Sequence, residues 1–348
     1  MKKILFVFFF PVLLCIVNAQ TAVSKKKVFE IGPGEEPVYS EYTLLLSSSG
    51  TDVSMVTTSA TDKYFLYING QKKGPFEDPK KIEWTDDREE DMYSSVYRDN
   101  RVVDQNKFLT AGDDGRMLIK ANGKSYGPFQ LVLNIFSDTD GNLISAITVE
   151  GMNASLLTQS GTIIKLEGIP SYTCSSPSGK KVIVMATKEF NPAAEFMNID
   201  FSKLTQEQMM KLSKDIEAKQ KAAPPPVSFL YFNDGTKLGP YPKDDISNNN
   251  PAFCKTGGDN WLMQLNSKLY VNGAEIATLE NYVSNDDIWL SEDGKRYAII
   301  TNEKIAFSDG SSFDFPLKIK RITKNGVTSF TWVSLENKKD VVVYSKTL

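Results

Sequence analysis

A turn that the chain repeats three times decides the fold, and its first copy reads Asn69-Gly70-Gln71-Lys72-Lys73-Gly74-Pro75-Phe76. The second copy joins Asn122-Gly123 to Gly127-Pro128-Phe129, and the third joins Asp234-Gly235 to Gly239-Pro240-Tyr241, at the same spacing. Each copy follows an apolar or aromatic run that predicts a strand. Asn-Gly and Asp-Gly favour the two positive φ values of a two-residue hairpin. Proline has no N–H for the ladder, so the returning strand is predicted to stop at Gly-Pro.

A second type of turn alternates with this hairpin and has the form Ser-x-x-Gly before an apolar strand. Its clearest copies are Ser176-Pro177-Ser178-Gly179 and Ser291-Glu292-Asp293-Gly294. The two types alternate with a period of roughly 40 residues, which fits the four short strands of a propeller blade. We therefore predict an all-β chain that folds as a single β-propeller. Seven blades are favoured, and six is the alternative because the last unit, residues 322–344, is short.

The ends of the chain are predicted to close the propeller. Residues 28–31 and 341–344 are the candidate terminal strands. We expect them to pair with each other, because an unpaired strand edge invites aggregation.

The repeat resembles the blades of WD40-like propellers of the TolB type. One such blade would be Ser291-Glu292-Asp293-Gly294-Lys295-Arg296 followed by two apolar strands and then Ser308-Asp309-Gly310. Residues 176–185 are similar, with Ser178 where the family prefers aspartate. The resemblance implies a fold and no particular activity. The Gly-Pro-aromatic extension departs from that family and resembles propeller repeats of secreted bacterial proteins without an assigned activity.

Residues 188–226 interrupt the repeat and predict a helical, proline-rich insertion. Thr205 and Gln208 form a capping-box pattern, and Met209, Leu212 and Ile216 line one helical face. This stripe either docks on the propeller or binds a partner helix or groove. We interpret the helix as an arm that is loosely docked on the propeller. If the family's strand order holds, both turn types lie on one face of the disc and the insertion projects from the opposite face.

The first 19 residues predict a signal peptide. Lys2 and Lys3 precede an apolar run over residues 4–17, and Ala19 offers a small residue for cleavage. Leu14 and Ile16 flank Cys15 with bulky groups, which argues against lipid attachment. Residues 20–348 are then the propeller, with no transmembrane span in the mature chain and a periplasmic or cell-surface location.

Composition restricts the chemistry of the mature chain. The sequence contains no histidine, which removes Ser-His-Asp and Cys-His catalysis and histidine-based metal sites. Losing Lys2 and Lys3 with the signal leaves 38 basic against 43 acidic residues, a net charge of −5. This weak acidity argues against a nucleic-acid partner. We expect no cofactor, no metal and no catalytic residue that can be named from the sequence.

Three further groups of residues are candidate sites. The repeated aromatics Phe76, Phe129 and Tyr241 either contact a glycan or peptide or, the favoured interpretation, pack between units. Asp138, Asp140 and Asn142 hint at a calcium loop but lack the full ligand pattern, and turn chemistry alone explains them. The acidic run over residues 86–91 is typical of a solvated loop.

Cys174 and Cys254 form a candidate disulfide, because each lies a few residues before the first turn of successive blades. Both are therefore expected near the ends of innermost strands. The sequence leaves open whether their Cα atoms approach closely enough for a bridge.

The sequence as a whole favours an exported, non-catalytic propeller that binds an unknown protein or glycan at the bacterial envelope. The alternative is a carbohydrate-active enzyme that uses a pair of carboxylates, a device that does not need histidine. A purely structural part of an envelope assembly is the third possibility.

Overall fold

The computed structural model describes residues 22–38, 43–47, 49–79, 107–112, 114–121, 123–191, 199–247, 250–256, 258–301, 303–314, 316–324 and 327–348. Within these ranges most residues belong to antiparallel β-strands. Residues 1–19, with the predicted signal peptide, and residues 86–91, with the acidic run, lie outside the described residues.

The strands are numbered here in chain order. The first fifteen are β1 Ser24–Glu30, β2 Glu35–Pro37, β3 Leu44–Leu46, β4 Val53–Ser59, β5 Tyr64–Ile68, β6 Gln71–Phe76, β7 Leu109–Ala111, β8 Met117–Ala121, β9 Lys124–Phe129, β10 Leu131–Ser137, β11 Leu143–Glu150, β12 Asn153–Thr158, β13 Ile163–Lys165, β14 Ile169–Ser175 and β15 Val182–Lys188. The others are β16 Val227–Phe232, β17 Lys237–Pro242, β18 Ala252–Phe253, β19 Trp261–Leu265, β20 Lys268–Val271, β21 Ala274–Thr278, β22 Ile288–Leu290, β23 Tyr297–Ile300, β24 Lys304–Phe307, β25 Ser312–Asp314, β26 Lys318–Lys324, β27 Val327–Glu336 and β28 Asp340–Thr347.

The described strands form seven separate sheets. In five of them the spatial order is the chain order, namely β7–β9, β10–β13, β14–β17, β18–β21 and β22–β25. In another sheet β2 and β3 both pair with β4, which continues into β5 and β6. Short antiparallel sheets that follow one another in this way are the blades of a β-propeller. The predicted fold class is thus confirmed, and the number of blades stays a prediction.

The last sheet is closed by the first strand. Its order is β1-β28-β27-β26, and Phe29 lies opposite Val341 while Lys25 lies opposite Tyr344. Three ion pairs reinforce the contact, from Lys25 to Glu336, from Lys27 to Asp340 and from Lys339 to Glu30. The predicted pairing of the terminal segments is confirmed.

The predicted helical insertion is present as helix α1, Gln206–Ala222. The hydroxyl of Thr205 accepts a hydrogen bond from the N–H of Gln208, whose side chain accepts one from the N–H of Thr205, so the capping box is confirmed. β15 ends at Lys188 and β16 begins at Val227, so α1 lies between the second and third strands of its sheet. Other short helical segments are Phe201–Lys203, α2 at Lys243–Ser247 and Asn285–Asp287.

The core lies between neighbouring sheets. Leu156 of β12 and Val184 of β15 belong to one buried cluster that joins two successive sheets. Trp289 of β22 and Trp332 of β27 join the last two sheets in another. These neighbouring sheets therefore cover one another's faces, and burial of the apolar surfaces stabilises the fold by about 25 cal/mol per Å².

The Gly-Pro pairs do not stop the returning strands, contrary to the sequence prediction. β6 and β9 each run through Gly-Pro to the aromatic residue, with a register shift in the pairing just before it. These are the last strands of their sheets, so the missing proline N–H costs no ladder bond. The three Gly-Pro peptide bonds are cis.

The third copy of the hairpin also differs from its prediction. Asn69 and Gly70 both have positive φ, and Ile68 pairs directly with Gln71, as a two-residue turn requires. Around Asp234, Phe232 pairs instead with Thr236 through a main-chain hydrogen bond, which leaves a loop of three residues. Only its glycine, Gly235, has a positive φ. The loop holds Asn233 as well as Asp234 and Gly235, one residue more than the turn of the first copy.

Candidate functional site

The two turn types of a blade touch each other through an asparagine side chain. In three blades the Oδ1 atom of an asparagine in the hairpin turn accepts a hydrogen bond from the main-chain N–H at the start of the second strand. These bonds join Asn69 to Val53 at 2.9 Å, Asn233 to Val182 at 3.0 Å and Asn272 to Trp261 at 3.2 Å. Both turn types therefore lie on one face of the disc, as the sequence predicted.

Helix α1 leaves the disc on the opposite face. β15 begins beside the turn 176–181 and runs away from it to Lys188, after which the insertion starts. The connections between blades, such as the short helix Asn285–Asp287 before β22, leave from this same side of their sheets. The face with the insertion thus carries the irregular segments on which binding residues usually lie.

The three predicted stripe residues of α1 differ in their exposure. Met209 is 44% exposed, Leu212 is half-buried and Ile216 is 8% exposed. They are placed at i, i+3 and i+7, on one face and about 10 Å from end to end. Met210, beside the stripe, is 56% exposed. The helix is therefore packed against the protein near its middle, at Ile216, while its N-terminal part holds two methionines in solvent and residues 217–222 are exposed.

A groove with a volume of about 540 Å³ lies on the last sheet, beside the turn that follows β3. Its walls come from β1, β26, β27 and β28 together with residues 49–51. Six side-chain hydroxyls line it, those of Ser24, Ser49, Thr51, Ser329, Thr331 and Ser345. The remaining lining is one ammonium group, from Lys26, and the apolar groups Ile322, Val327 and Val343 with Gly50. No carboxylate is among these described lining residues.

The strand alternation of β1 places Lys26 in this groove and its neighbours elsewhere. Lys25 and Lys27 leave the opposite face of the strand and are held by Glu336 and Asp340. Lys26 lies opposite Val343 in the register and shares its face. Among the described residues it has no ion-pair partner.

The turn beside the groove is pressed against the sheet at Gly50. A Cβ at this position would lie 2.8 Å from Cδ1 of Ile322 and 3.1 Å from Oγ1 of Thr331, and its φ is +70°. Only glycine has both the conformational freedom and the small size needed here. The hydroxyls of Ser49 and Thr51, 2.7 Å apart, are thereby held at the mouth of the groove.

The repeated aromatics pack rather than form an exposed ring. Phe129 is buried in the cluster with Ile119 and Ile135. Phe76 is partly buried against a cluster of its own blade, and Tyr241 against a cluster shared by its blade and the next one. Burial raises the pKa of Tyr241. These contacts agree with the packing interpretation.

The Asp138 turn satisfies its own carboxylate. Oδ1 of Asp138 accepts hydrogen bonds from the N–H groups of Asp140 and Asn142, and Oδ2 accepts one from Nδ2 of Asn142. These bonds lower the pKa of Asp138, the side-chain bond from Asn142 most of all. Turn chemistry accounts for all three residues. Over the part of the chain that the structure describes, no cluster of three or more His, Cys, Asp or Glu residues could hold a metal.

The structure does not bring Cys174 and Cys254 together. Each thiol is buried and donates to a carbonyl group that follows it by a blade, Cys174 to Pro251 at 3.4 Å and Cys254 to Ile288 at 3.2 Å. Their positions are equivalent, as the sequence predicted, but each contacts the next blade instead of the other cysteine. Neither is in a disulfide in this structure.

Glu35, which the sequence did not single out, holds the segment that leads into the first blade. Glu35 accepts hydrogen bonds from Thr57 at 2.8 Å, from Tyr67 at 2.9 Å and from Lys72. Burial would raise the pKa of Glu35, but these bonds together lower it. The Tyr67 hydroxyl also accepts from the N–H of Gly32, so the segment that enters the first blade is held to its third and fourth strands.

The same arrangement recurs around Glu167. The hydroxyl of Tyr231 accepts from the N–H of Glu167 at 2.8 Å, and Lys237 pairs with the carboxylate. Lys72 and Lys237 both stand two residues after the glycine of the repeated turn, whereas the second copy has Ser125 there. That shared lysine was the available signal, but its partners lie 37 and 70 residues away.

The chain was compared with protein families, curated proteins and solved structures. No protein-family model matches it, and no curated protein does. Within the described residues no helix is long and apolar enough to cross a membrane.

Solved structures give distant matches. An acylaminoacyl peptidase in complex with Z-Gly-Gly-Phe-chloromethyl ketone is 10% identical, with a TM-score of 0.28, and the match covers 88% of this chain but 46% of the peptidase. This chain thus spans less than half the length of that enzyme. BBS1N in complex with ARL6DN is 9% identical over 92% of this chain and 97% of that chain, with a TM-score of 0.25.

A third match is the β-propeller domain of the Trilobed protease from Pyrococcus furiosus. It is 11% identical, covers 91% of this chain and 98% of that chain, and has a TM-score of 0.23. All of these TM-scores lie below 0.5, so the propeller assignment rests on the sheets of this chain itself.

Proposed function

We propose that this chain is an exported, non-catalytic β-propeller of the TolB-like type that binds a protein partner at the bacterial envelope through α1. The observation that carries the proposal is the exposure of Met209 and Met210, at 44% and 56%, on a helix that projects from the disc. Methionine is a flexible apolar side chain that recurs at adaptable binding surfaces. Exposed apolar side chains grouped together mark interaction sites.

The helix is suited to binding because it is already formed and anchored. Its capping box fixes the N-terminus, and Ile216 is buried near the middle of the helix. Binding of a partner over Met209 and Met210 would therefore cost little conformational entropy, because the helix is already ordered. Lys211 and Lys214 are exposed beside the methionines, so an apolar groove with a carboxylate rim is the complementary surface.

The TolB-like part of the proposal is supported by the Ser-x-x-Gly turns. The hydroxyl of Ser291 accepts from the N–H of Arg296 at 3.0 Å, and that of Ser176 accepts from the N–H of Lys181 at 3.1 Å. The serine of the motif thus closes the same turn in both blades. Export is supported by the sequence of residues 1–19.

The test is cross-linking and pull-down of the mature chain from its native envelope, with variants of α1. Met209→Glu combined with Met210→Glu should abolish capture of the specific partner, because charge opposes burial of this surface. Ala222→Glu, exposed on the same helix and turned away from both methionines, is the matched control and should retain it. Equal capture by both variants would overturn the role of the methionines, and a precursor that stays uncleaved in the cytoplasm would overturn export.

A carbohydrate-active enzyme with a carboxylate pair is the alternative function. Burial, and to a smaller degree the neighbouring Asp286, raises the pKa of Asp287, which is the direction needed in a general acid. Hydrolysis of a glycoside that Asp287→Asn abolishes while the fold is retained would favour this alternative over the binding proposal.

A further inference from the structure

The groove on the last sheet carries a second inference, independent of the helical arm. We infer that it is a binding site for a small acidic saccharide, and that its occupancy fastens the strand that closes the propeller. Its volume of about 540 Å³ lies within the range of small-molecule sites, about 300–1,000 Å³.

The lining of the groove matches a sugar that bears a negative charge. Hydroxyl groups donate and accept hydrogen bonds, so six of them provide complementary partners for the hydroxyls of a saccharide. The apolar groups of Ile322 and Val343 suit the C–H surfaces of a sugar ring. The ammonium of Lys26 supplies the positive charge for a carboxylate or phosphate.

The hydroxyls have capacity for such a ligand. The bond from Thr331 to Ser345 is 3.3 Å and that from Ser24 to the carbonyl of Ser345 is 3.4 Å, both longer than an ordinary O–H···O bond. A ligand hydroxyl can replace these two weak contacts. The hydroxyls of Ser49 and Thr51 are 2.7 Å apart and that of Ser329 is 3.0 Å from Thr347, so these groups would bind a ligand through their remaining donor or acceptor capacity. Ser49 and Thr51, held at the mouth by Gly50, face the sheet from the other side.

The surrounding charge favours an anion. Lys320 lies opposite Thr331 in the register and so leaves the same face of the sheet. Lys26 has no described ion-pair partner, in contrast to Lys25 and Lys27 on the same strand. No carboxylate is among the described lining residues, although Asp52 accepts a hydrogen bond of 3.1 Å from the hydroxyl of Thr51 at the mouth. Within the groove an acidic ligand is therefore attracted by Lys26.

Occupancy is coupled to closure because the lining comes from both ends of the chain. Ser24 and Lys26 belong to β1, whereas Ser329, Thr331 and Ser345 belong to β27 and β28. A ligand that contacts both groups binds only when β1 is paired with β28. It must therefore stabilise that pairing by linkage.

The test uses the mature chain with four probes, namely glucuronic acid, glucose 6-phosphate, glucose and inorganic phosphate, measured by calorimetry. At least one of the two acidic sugars should bind saturably, and glucose and phosphate should bind at least about tenfold more weakly. The two acidic arms distinguish a carboxylate from a phosphate source. The inference would be overturned if neither acidic sugar bound saturably, or if inorganic phosphate bound with the same affinity as the acidic sugars.

Two further measurements locate the site and the coupling. Lys26→Gln should weaken binding about tenfold, and Lys25→Gln, which removes the same charge from the other face of β1, should not. With ligand at 100 times its Kd, hydrogen exchange of the β1 amides should slow by up to about 100-fold. An unchanged affinity in Lys26→Gln, or unchanged exchange of β1, would contradict the site or the coupling. Partner capture through α1 should be unaffected in both variants, so this result is separable from that of the arm.

Discussion

Asn233 accepts a hydrogen bond of 3.0 Å from the main-chain N–H of Val182, which stands 51 positions earlier in the chain. Its Nδ2 group donates to the carbonyl of Lys180 at 2.9 Å, so one side chain joins the two turns of its blade. Asn69 and Asn272 make the corresponding bonds in other blades. The asparagine of the repeated turn is therefore a connector as well as a residue that tolerates positive φ.

Asn233→Ala should destabilise the fold by about 1–3 kcal/mol, because it leaves the buried N–H of Val182 without its acceptor. Denaturant unfolding measures the change. Thr236→Ala, exposed in the same hairpin, is the control and should stay within about 0.5 kcal/mol of the parent. If the two variants were equally stable, Asn233 would not stabilise the fold by connecting the two turns.

Asp309→Asn should destabilise the propeller by about 3–5 kcal/mol, because Lys346, whose side chain is 4% exposed, would lose its ion-pair partner. Urea unfolding at neutral pH measures this. Ser311→Ala, which removes one hydrogen bond to Lys346 and one to Asp309 but keeps the ion pair, should cost about 1–2 kcal/mol. A cost for Asp309→Asn no larger than that of the control would contradict the ion pair's role.

The same pair predicts a loss of stability in acid. Burial would raise the pKa of Asp309, but hydrogen bonds from Lys346 and Ser311 outweigh burial and lower it to about 2. A carboxyl whose pKa is lowered on folding stabilises the fold above its unfolded pKa, about 3.9, and loses that contribution as pH falls from about 4 to 2. Unfolding followed across this window should show a smaller pH dependence in Asp309→Asn than in the parent.

Gly127→Ala should cost roughly 3 kcal/mol, because its φ is +109° and a Cβ would lie 2.9 Å from the carbonyl oxygen of Met117. Gly123→Ala is the matched control in the same hairpin. Gly123 has a φ of +71° and no atom within 4 Å of the added Cβ, so only the conformational cost of about 1–2 kcal/mol remains. The difference in unfolding free energy tests whether the close approach matters.

Cys174 should resist alkylation in the native protein, because burial raises the pKa of its thiol and shields it. Cys254 is also buried, and mass spectrometry after labelling should find both thiols modified only when the protein is unfolded. Reduction should not change the mass of the native chain. A mass increase on reduction would instead establish the disulfide that the sequence left open.

Limited proteolysis should cut first within residues 188–226 and leave the propeller folded. Ile216 is the one buried side chain of α1 among its described residues, so the helix opens locally at lower cost than the sheets. The fragments can be identified by mass, and their association tested by gel filtration. A first cut in a described strand would contradict the arm's loose docking.

The periodic and local features of the fold were predictable. Hairpin turns, the capping box of Thr205 and Gln208, and the pairing of residues 28–31 with the end of the chain all follow from residue types that restrict the backbone or mark an edge. The Met209, Leu212 and Ile216 stripe followed from helical spacing. The change in exposure along that stripe could not be predicted, because it depends on how α1 packs against the propeller.

The groove and the glutamate contacts were not predictable. Ser24, Ser49 and Ser345 meet only after the chain has closed, and no local pattern links them. Glu35 and Lys72 are likewise joined across 37 positions. Asp234-Gly235 does not form the predicted two-residue turn. Asn233, not Asp234, takes the place of Asn69 and bonds to Val182, so the loop is one residue longer.

The sequence by itself determined the strands, their turns and the place of the helix, because glycine, asparagine, proline and alternating apolar residues act on the backbone within a few positions. Only the tertiary structure decided that Lys26 faces a hydroxyl-lined groove while Lys25 and Lys27 are held in ion pairs. That outcome depends on the register between the first and last strands. Register is a property of two segments more than 300 residues apart, and it is fixed by the packing of the whole disc.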